Sequence, residues 1–156
     1  GWGVGGKCMA FTAAFSGVTD AQSTLVEYWR NRRADGGRVM RTDSDPGTVR
    51  AYLSSISIVE MTPEGEARFR LVGSRMRDSL GEDPRGKSIN EVPGLDVDMF
   101  AQTLSAALDN GHPVGGVIER DDGTMSWLRL PLVGDDGHWS QVMCYDEFVS
   151  HLDDSA

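Results

Sequence analysis

Apolar and polar residues alternate in two stretches, 55–61 and 66–72, and this alternation predicts a β-hairpin. A short turn that contains proline and glycine separates the two stretches. If Met61 pairs with Glu66, the apolar residues of both strands share one face, which is how a buried face fixes the register of a hairpin. Those residues are Ile56, Ile58, Phe69 and Leu71.

The last third of the chain predicts three further strands, at 114–120, 125–133 and 138–146. Turns rich in Asp and Gly separate them, and such turns are typical of hairpins. Pairing Val133 with His138 places alternate residues of the last two strands on one face. Those residues are Leu128, Leu130, Leu132, Trp139, Gln141, Met143 and Tyr145.

Apolar residues at helical spacing predict helices at 20–34 and 96–110. A shorter helix at 75–80 follows Ser74, which can cap it, and ends before a glycine. Asp45, followed by proline, predicts the start of one more helix. The apolar stripe of the first helix is Leu25, Tyr28 and Trp29, and that of helix 96–110 includes Met99, Phe100, Leu104 and Leu108.

These elements predict an α+β fold, with a five-stranded antiparallel sheet, helices packed on one face and an additional N-terminal helix. We expect the face with Ile56 and Met143 to be the inner one, beneath Phe100 and Leu104 of helix 96–110. The opposite face is also apolar, although a sheet with one solvated face alternates more cleanly. We therefore expect the first helix or a second subunit to cover that opposite face. Its residues are Ile118, Trp127, Val133, Val142 and Cys144.

A pocket is predicted where the strand ending at Val72 turns sharply into helix 75–80. Gly73 lies at this turn, and we expect it to adopt a backbone conformation that other residues resist. The helix then folds back over the apolar face of the strand. The result is a half-open pocket with the sheet on one side and short helices on the other.

Gln141 is the one strongly polar side chain in the predicted inner set of the last two strands. A buried amide needs hydrogen-bond partners, so Gln141 either meets a backbone group or contacts a ligand. Tyr145 carries a similar polar group on an apolar ring.

Composition excludes several classes of partner. The formal charge of −9 argues against a nucleic-acid-binding face and against docking on anionic lipid. No apolar run approaches the ~18 residues of a membrane span. Cys8 and Cys144 lie far apart, as expected for reduced thiols, so we expect a cytoplasmic protein.

Signals for catalysis or metal binding are weak. The three histidines are isolated, without a second ligand at the spacing that a metal site uses. No nucleophile motif or phosphate-binding loop is present. The paired aspartates at 121–122 and 135–136 fall at predicted turn tips, where solvated carboxylates are usual. We therefore predict no catalytic residue and no metal site.

One long run, FRLVGSRMRDSLGEDPRGKSINEV at 69–92, resembles the middle of a PAS-type sensor domain. Three more stretches fit the same pattern, at 25–33, 41–46 and 130–132. The chain is similar to a bacterial PAS subfamily that occurs largely as single-domain proteins, and the resemblance covers about 21–148. We accordingly divide the chain into an N-terminal arm at 1–20, flexible or docked by its aromatic residues, a PAS-like domain at 21–150 and a tail at 151–156.

The resemblance implies a stand-alone sensory module that binds a small ligand or a protein partner and signals through a homodimer interface. It does not identify a cofactor. The alternatives are an interaction adaptor with a filled core and, from another class, a small enzyme such as an isomerase that uses Tyr145. An internal cavity favours sensing, whereas a close-packed interior favours the adaptor.

The predicted site residues follow from the pocket and from the apolar faces. The predicted ligand-binding residues are Phe69, Leu71, Met76, Phe100, Leu104, Leu128, Gln141, Met143 and Tyr145. The predicted dimer-interface residues are Leu25, Tyr28, Trp29 and Trp127.

Overall fold

One five-stranded antiparallel sheet organises the computed structural model, which describes residues 15–34, 47–134 and 137–151. The strands are β1 (Ile56–Met61), β2 (Ala67–Val72), β3 (Val114–Arg120), β4 (Gly123–Val133) and β5 (Trp139–Ser150), in the spatial order β2-β1-β5-β4-β3. The helices are α1 (Asp20–Ala34), α2 (Gly47–Arg50), α3 (Ser74–Leu80) and α4 (Val97–Asn110), with 3₁₀ turns at Leu53–Ser55 and Ile89–Glu91. The predicted α+β fold is confirmed.

Both faces of the sheet are buried, each beneath its own helical layer. The face toward α4, called the α4 face below, packs with α3 and α4 and includes Val59, Phe69, Trp127, Val142 and Cys144. The face toward α1, called the α1 face, packs with α1 and includes Ile56, Ile58, Leu128, Leu130, Leu132, Met143 and Tyr145. Burial of one such large apolar side chain stabilises the fold by about 1.5–3 kcal/mol.

The prediction of which helix covers which face of the sheet was wrong. The sequence placed Phe100 and Leu104 over the face that carries Met143, but these α4 residues pack with Trp127 and Val142 instead. The sets of residues that share a face in β4 and β5 were predicted correctly, except at the irregular end near Trp139. Alternation along a strand decides which residues share a face, but it does not say which helix covers that face.

The register of the first hairpin also differs from the prediction. Met61 pairs with Ala67, and the ladder is interrupted by a β-bulge between Ile58 and Val59. Phe69 therefore lies opposite Val59 and joins the α4 face, whereas Leu71 lies opposite Ile58 on the α1 face. A bulge inserts one residue into a strand, and that insertion reverses the face of every residue beyond it.

Gln22 links α1 to the sheet by hydrogen bonds. Thr19 caps the helix by accepting a hydrogen bond from the Gln22 amide at 3.1 Å, and the Gln22 side-chain oxygen accepts from the Thr19 amide at 3.1 Å. The Gln22 side-chain amide is buried and donates to the carbonyl oxygens of Gly116 and Trp127, both at 2.9 Å. One side chain thus completes the helix terminus and binds it to β3 and β4.

Part of the predicted N-terminal arm is docked on the domain. The Phe15 amide donates to the Pro113 carbonyl oxygen at 3.0 Å. A methyl group added at Gly115 would lie 2.7 Å from the Phe15 ring, so this glycine permits the close contact. Residues 1–14 and the predicted helix start at Asp45 lie outside the described residues.

No helix in the described part of the chain is long and apolar enough to cross a membrane.

Gly73 is required by close packing, not by an unusual backbone conformation. Its φ of −71° and ψ of 161° are accessible to any residue, so the predicted strain is wrong. A Cβ at this position would lie 2.5 Å from the Leu53 carbonyl oxygen and closer still to that of Ser54. Gly73 also occupies the N-cap position of α3, so the predicted cap, Ser74, is instead the first helical residue.

We expect Gly73→Ala to destabilise the protein by about 1–3 kcal/mol, because the added methyl group meets backbone atoms that cannot rotate away. Urea denaturation of the full chain measures the change. Ser74→Ala, at the adjacent exposed position, is the matched control and should stay within about 0.5 kcal/mol of the parent. Parental stability of Gly73→Ala would contradict the close packing.

Candidate functional site

A half-open cavity of about 570 Å³ lies between α3, α4 and the ends of β3, β4 and β5. Its apolar wall consists of Met76, Leu80, Leu95, Met99, Phe100, Ile118, Met125 and Phe148. Its polar side chains are Arg75, Ser79, Asp96, Arg120, Asp146 and Glu147. The site is therefore a mainly apolar pocket with a few polar groups, which is the usual character of a small-molecule site.

The start of α4 forms one side of the cavity. The Asp96 side chain caps this helix by accepting a hydrogen bond from the Met99 amide at 3.1 Å. The cap fixes the first turn of α4, which carries Met99 and Phe100 on its buried side. These two side chains then form part of the cavity wall.

Arg129 is fully buried beneath α4, beside the cavity. Its guanidinium donates two hydrogen bonds to the two carboxylate oxygens of Asp146, at 3.0 and 3.1 Å. It also donates to the Thr103 hydroxyl at 3.0 Å and to the Leu128 carbonyl oxygen at 2.9 Å. This arrangement satisfies a buried cation and links β4 to both β5 and α4.

The surroundings of Arg129 keep it charged. Burial lowers its pKa, but the nearby Asp146 carboxylate opposes this effect, and the net pKa is raised. The guanidinium carbon lies 4.6 Å from the centre of the Phe100 ring and 5.6 Å from that of Trp127. These cation–π contacts add to the attraction between Arg129 and its neighbours.

Asp146 connects this buried ion pair to the cavity. Arg129 lies opposite Cys144 in the β4–β5 ladder, and Asp146 is two residues further along β5 on the same face. A long side chain reaches such a diagonal neighbour. The Asp146 side chain keeps 14% of its surface exposed and lines the cavity. The cavity therefore has a carboxylate in its wall whose charge Arg129 balances.

A second polar chain joins the cavity to the α1 face. Arg75, which lines the cavity, donates to the Glu147 carboxylate at 2.9 Å. The other Glu147 oxygen accepts a hydrogen bond from the Tyr145 hydroxyl. Burial, together with this hydrogen bond, raises the pKa of Tyr145 above its usual range, so the phenol remains a proton donor here.

Cys144 offers no nucleophile. Burial raises the pKa of its thiol to about 12, although the Arg129 charge opposes this rise. The thiolate is the reactive form of cysteine, and it is not populated near neutral pH at such a pKa. In the described part of the chain, no group of three His, Cys, Asp or Glu side chains is placed to hold a metal ion.

Two of the nine predicted ligand-binding residues, Met76 and Phe100, line the cavity. Phe69 and Leu104 lie in the core of the α4 face but do not form the cavity wall. The other five lie on the α1 face, so their predicted placement under α4 was wrong: Leu71, Leu128, Gln141, Met143 and Tyr145. Ligand binding by these residues stays a prediction.

Gln141 is 4% exposed and pairs with Leu132 in the ladder, not with Leu130 as the predicted register implied. Its side-chain oxygen is buried and has no hydrogen-bond partner among the described residues. Of the two partners predicted for the Gln141 amide, a backbone group or a ligand, no backbone group meets this oxygen in the described part of the chain.

The predicted dimer-interface residues are buried within one copy of the chain. Leu25, Tyr28 and Trp29 pack against the α1 face, and the Trp29 indole donates to the Pro131 carbonyl oxygen at 2.6 Å. Trp127 lies on the opposite face, in the cluster beneath α4. Their burial therefore needs no second copy, and the homodimer stays a prediction.

The sequence reasoning missed Arg129 and Asp146. A signal was present, since Arg129 interrupts the apolar run 127–133, and a charge inside such a strand needs a partner. Asp146 was visible only as the end of a predicted strand, because its pairing with Arg129 depends on the register of β4 and β5.

Comparison with protein families matches residues 18–114 to a family described as PAS domain. Comparison with curated proteins finds no match.

Several solved structures are similar to this chain. A sensory box sensor histidine kinase from Vibrio cholerae has a TM-score of 0.47 at 14% identity, over 82% of this chain and 95% of that one. A light-oxygen-voltage domain studied with a flavin analogue has a TM-score of 0.47 at 13% identity, over 72% and 92%. A PAS domain from Colwellia psychrerythraea has a TM-score of 0.41 at 18% identity, over 68% and 98%.

We expect Asp146→Asn to destabilise the protein by about 3 kcal/mol or more, because it leaves the Arg129 charge buried without its counter-ion. Replacing both partners, in Arg129→Met with Asp146→Leu, should cost much less, since no buried charge remains. Urea denaturation at neutral pH measures both changes, with Asp121→Asn at an exposed turn as control. The account fails if Asp146→Asn is as stable as the parent.

Proposed function

Because the chain belongs to the PAS-domain family, we propose that it is a sensory module that binds a small molecule in the cavity between α3, α4 and the sheet. The cavity itself carries this proposal. Its volume of about 570 Å³ falls within the ~300–1,000 Å³ typical of small-molecule sites. An interaction adaptor with a filled core needs no such space, so the cavity favours sensing.

The alternative of a small enzyme depended on Tyr145 as the polar group in the cavity. Tyr145 belongs to the cluster of the α1 face and does not line the cavity. The Asp146 carboxylate, which does line it, accepts two hydrogen bonds from Arg129 and belongs to a buried ion pair that links β4 to β5.

The hydrogen bonds that connect Arg75, Glu147 and Tyr145 support a route by which ligand binding in the cavity changes contacts on the α1 face. Arg75 contacts the cavity, Glu147 holds both Arg75 and the Tyr145 hydroxyl, and the Tyr145 ring packs edge-on against Tyr52 at 6.2 Å. A ligand that displaces Arg75 would leave Glu147 with one partner fewer. The change would then reach the α1 face through Tyr145.

In this proposal the signal leaves through the outward side of α1. That side carries exposed polar residues, including Glu27, Arg30 and Asn31, and Glu27 and Arg30 form an ion pair at 3.6 Å. We propose a protein partner or a second copy of the chain as the receiver of the signal at this surface.

Native mass spectrometry of the full chain, produced in its own host, tests the proposal. We expect one discrete non-covalent adduct on the wild-type chain. Met125→Trp should remove the adduct by filling the cavity, and Met143→Leu, on the α1 face, should keep it. A wild-type chain without any adduct, or an adduct that Met125→Trp retains, would contradict ligand binding in this cavity.

A further inference from the structure

On the basis of the proposed ligand-binding function, we infer that the cavity takes an aromatic molecule with a neutral hydrogen-bond donor, such as a phenol or a ring N–H, and that Asp146 accepts this hydrogen bond. The inference adds a ligand class to the proposed site. It follows from the unused acceptor capacity of Asp146, from the side chains of the wall and from the balance of charge around the ion pair.

The Asp146 carboxylate can accept more hydrogen bonds than it receives from the described residues. An ionised carboxylate is an acceptor only, with about four lone-pair positions on its two oxygens. Arg129 occupies one position on each oxygen, at 3.1 and 3.0 Å. No other hydrogen bond to this side chain occurs among the described residues, so each oxygen retains a position for a further donor. Since Asp146 is also the cavity-lining member of the pair, a molecule bound in the cavity can use these positions.

The wall of the cavity suits an aromatic body. Three methionines line it, Met76, Met99 and Met125, together with Phe100 and Phe148. Methionine sulfur makes favourable contacts with aromatic rings, and its unbranched side chain adapts to the ring's shape. The phenylalanine rings add edge-to-face or offset stacking.

The charges around the cavity favour a neutral donor. Arg129 already balances Asp146, so a ligand cation at this point would add an unbalanced charge next to a buried guanidinium. An anion would meet the Asp146 oxygens, which repel it. Arg75 is paired with Glu147, and the exposed Arg120 at the rim remains as a place for an anionic group. A ligand anion would therefore sit at the mouth, not against Asp146.

Three probes that share one ring system separate these cases. 2-Naphthol carries a neutral donor, 2-methoxynaphthalene carries an ether acceptor without a donor, and 2-naphthoate carries an anion. Titrations of the full chain with ¹³C-methyl-labelled methionine report binding at the site itself. Met76, Met99 and Met125 line the cavity, whereas Met143 lies on the α1 face and serves as an internal control.

We expect 2-naphthol to bind at least about tenfold more tightly than 2-methoxynaphthalene, since a hydrogen bond to a charged group has this value or more. The Arg129→Met with Asp146→Leu double variant should reduce the difference to about twofold. Asp121→Asn is the matched control, because it removes one carboxylate at an exposed turn outside the cavity wall. It should retain the preference for 2-naphthol.

The outcomes distinguish this inference from the proposed function. If the probes shift the three cavity methionines with equal affinity, or if 2-naphthoate binds most tightly, the donor assignment is wrong and ligand binding stands. A preference that survives in the double variant also overturns the assignment to Asp146. If no probe shifts these methionines, the proposed cavity function fails together with the inference. If the double variant does not fold, the comparison of 2-naphthol with 2-methoxynaphthalene in the wild-type chain still tests the donor assignment.

Discussion

The antiparallel ladder between β4 and β5 organises the described part of this protein. Alternate residues of the two strands point to opposite faces, and both sets are apolar, so each face needs a cover. On each face, one buried polar residue holds the covering helix by hydrogen bonds. Gln22 binds α1 to the carbonyl groups of β3 and β4, and Arg129 binds β4 to Thr103 of α4. The fold is thus built from two apolar interfaces, each given a definite position by directional hydrogen bonds.

The two interfaces differ in how they are filled. The α1 face is packed with side chains from α1 and its neighbours, whereas α3 and α4 leave a cavity of about 570 Å³ over the α4 face. Arg129 holds the Asp146 carboxylate by two hydrogen bonds, and Asp146 also lines that cavity. The same ion pair therefore supports the fold and gives the candidate site its chemical character.

Much of this arrangement could be predicted from local patterns, because the periods of strands and helices depend on near neighbours in sequence. The five strands and α1, α3 and α4 followed in this way, as did the face shared by Leu128, Leu130 and Met143. Which helix covers which face could not be predicted, because the two faces are equally apolar and local sequence does not distinguish them. The bulge at Ile58 and the pairing of Arg129 with Asp146 depend on long-range register, which alternation alone does not determine.

A crystal of the protein pressurised with xenon would test most directly which face of the sheet holds the binding space. Xenon enters apolar cavities and is located by its strong scattering. The account predicts xenon density beside Met99 and Met125, between α4 and the sheet, and none between α1 and the sheet. Xenon bound near Leu130 and Met143, with the α4 side unoccupied, would contradict it.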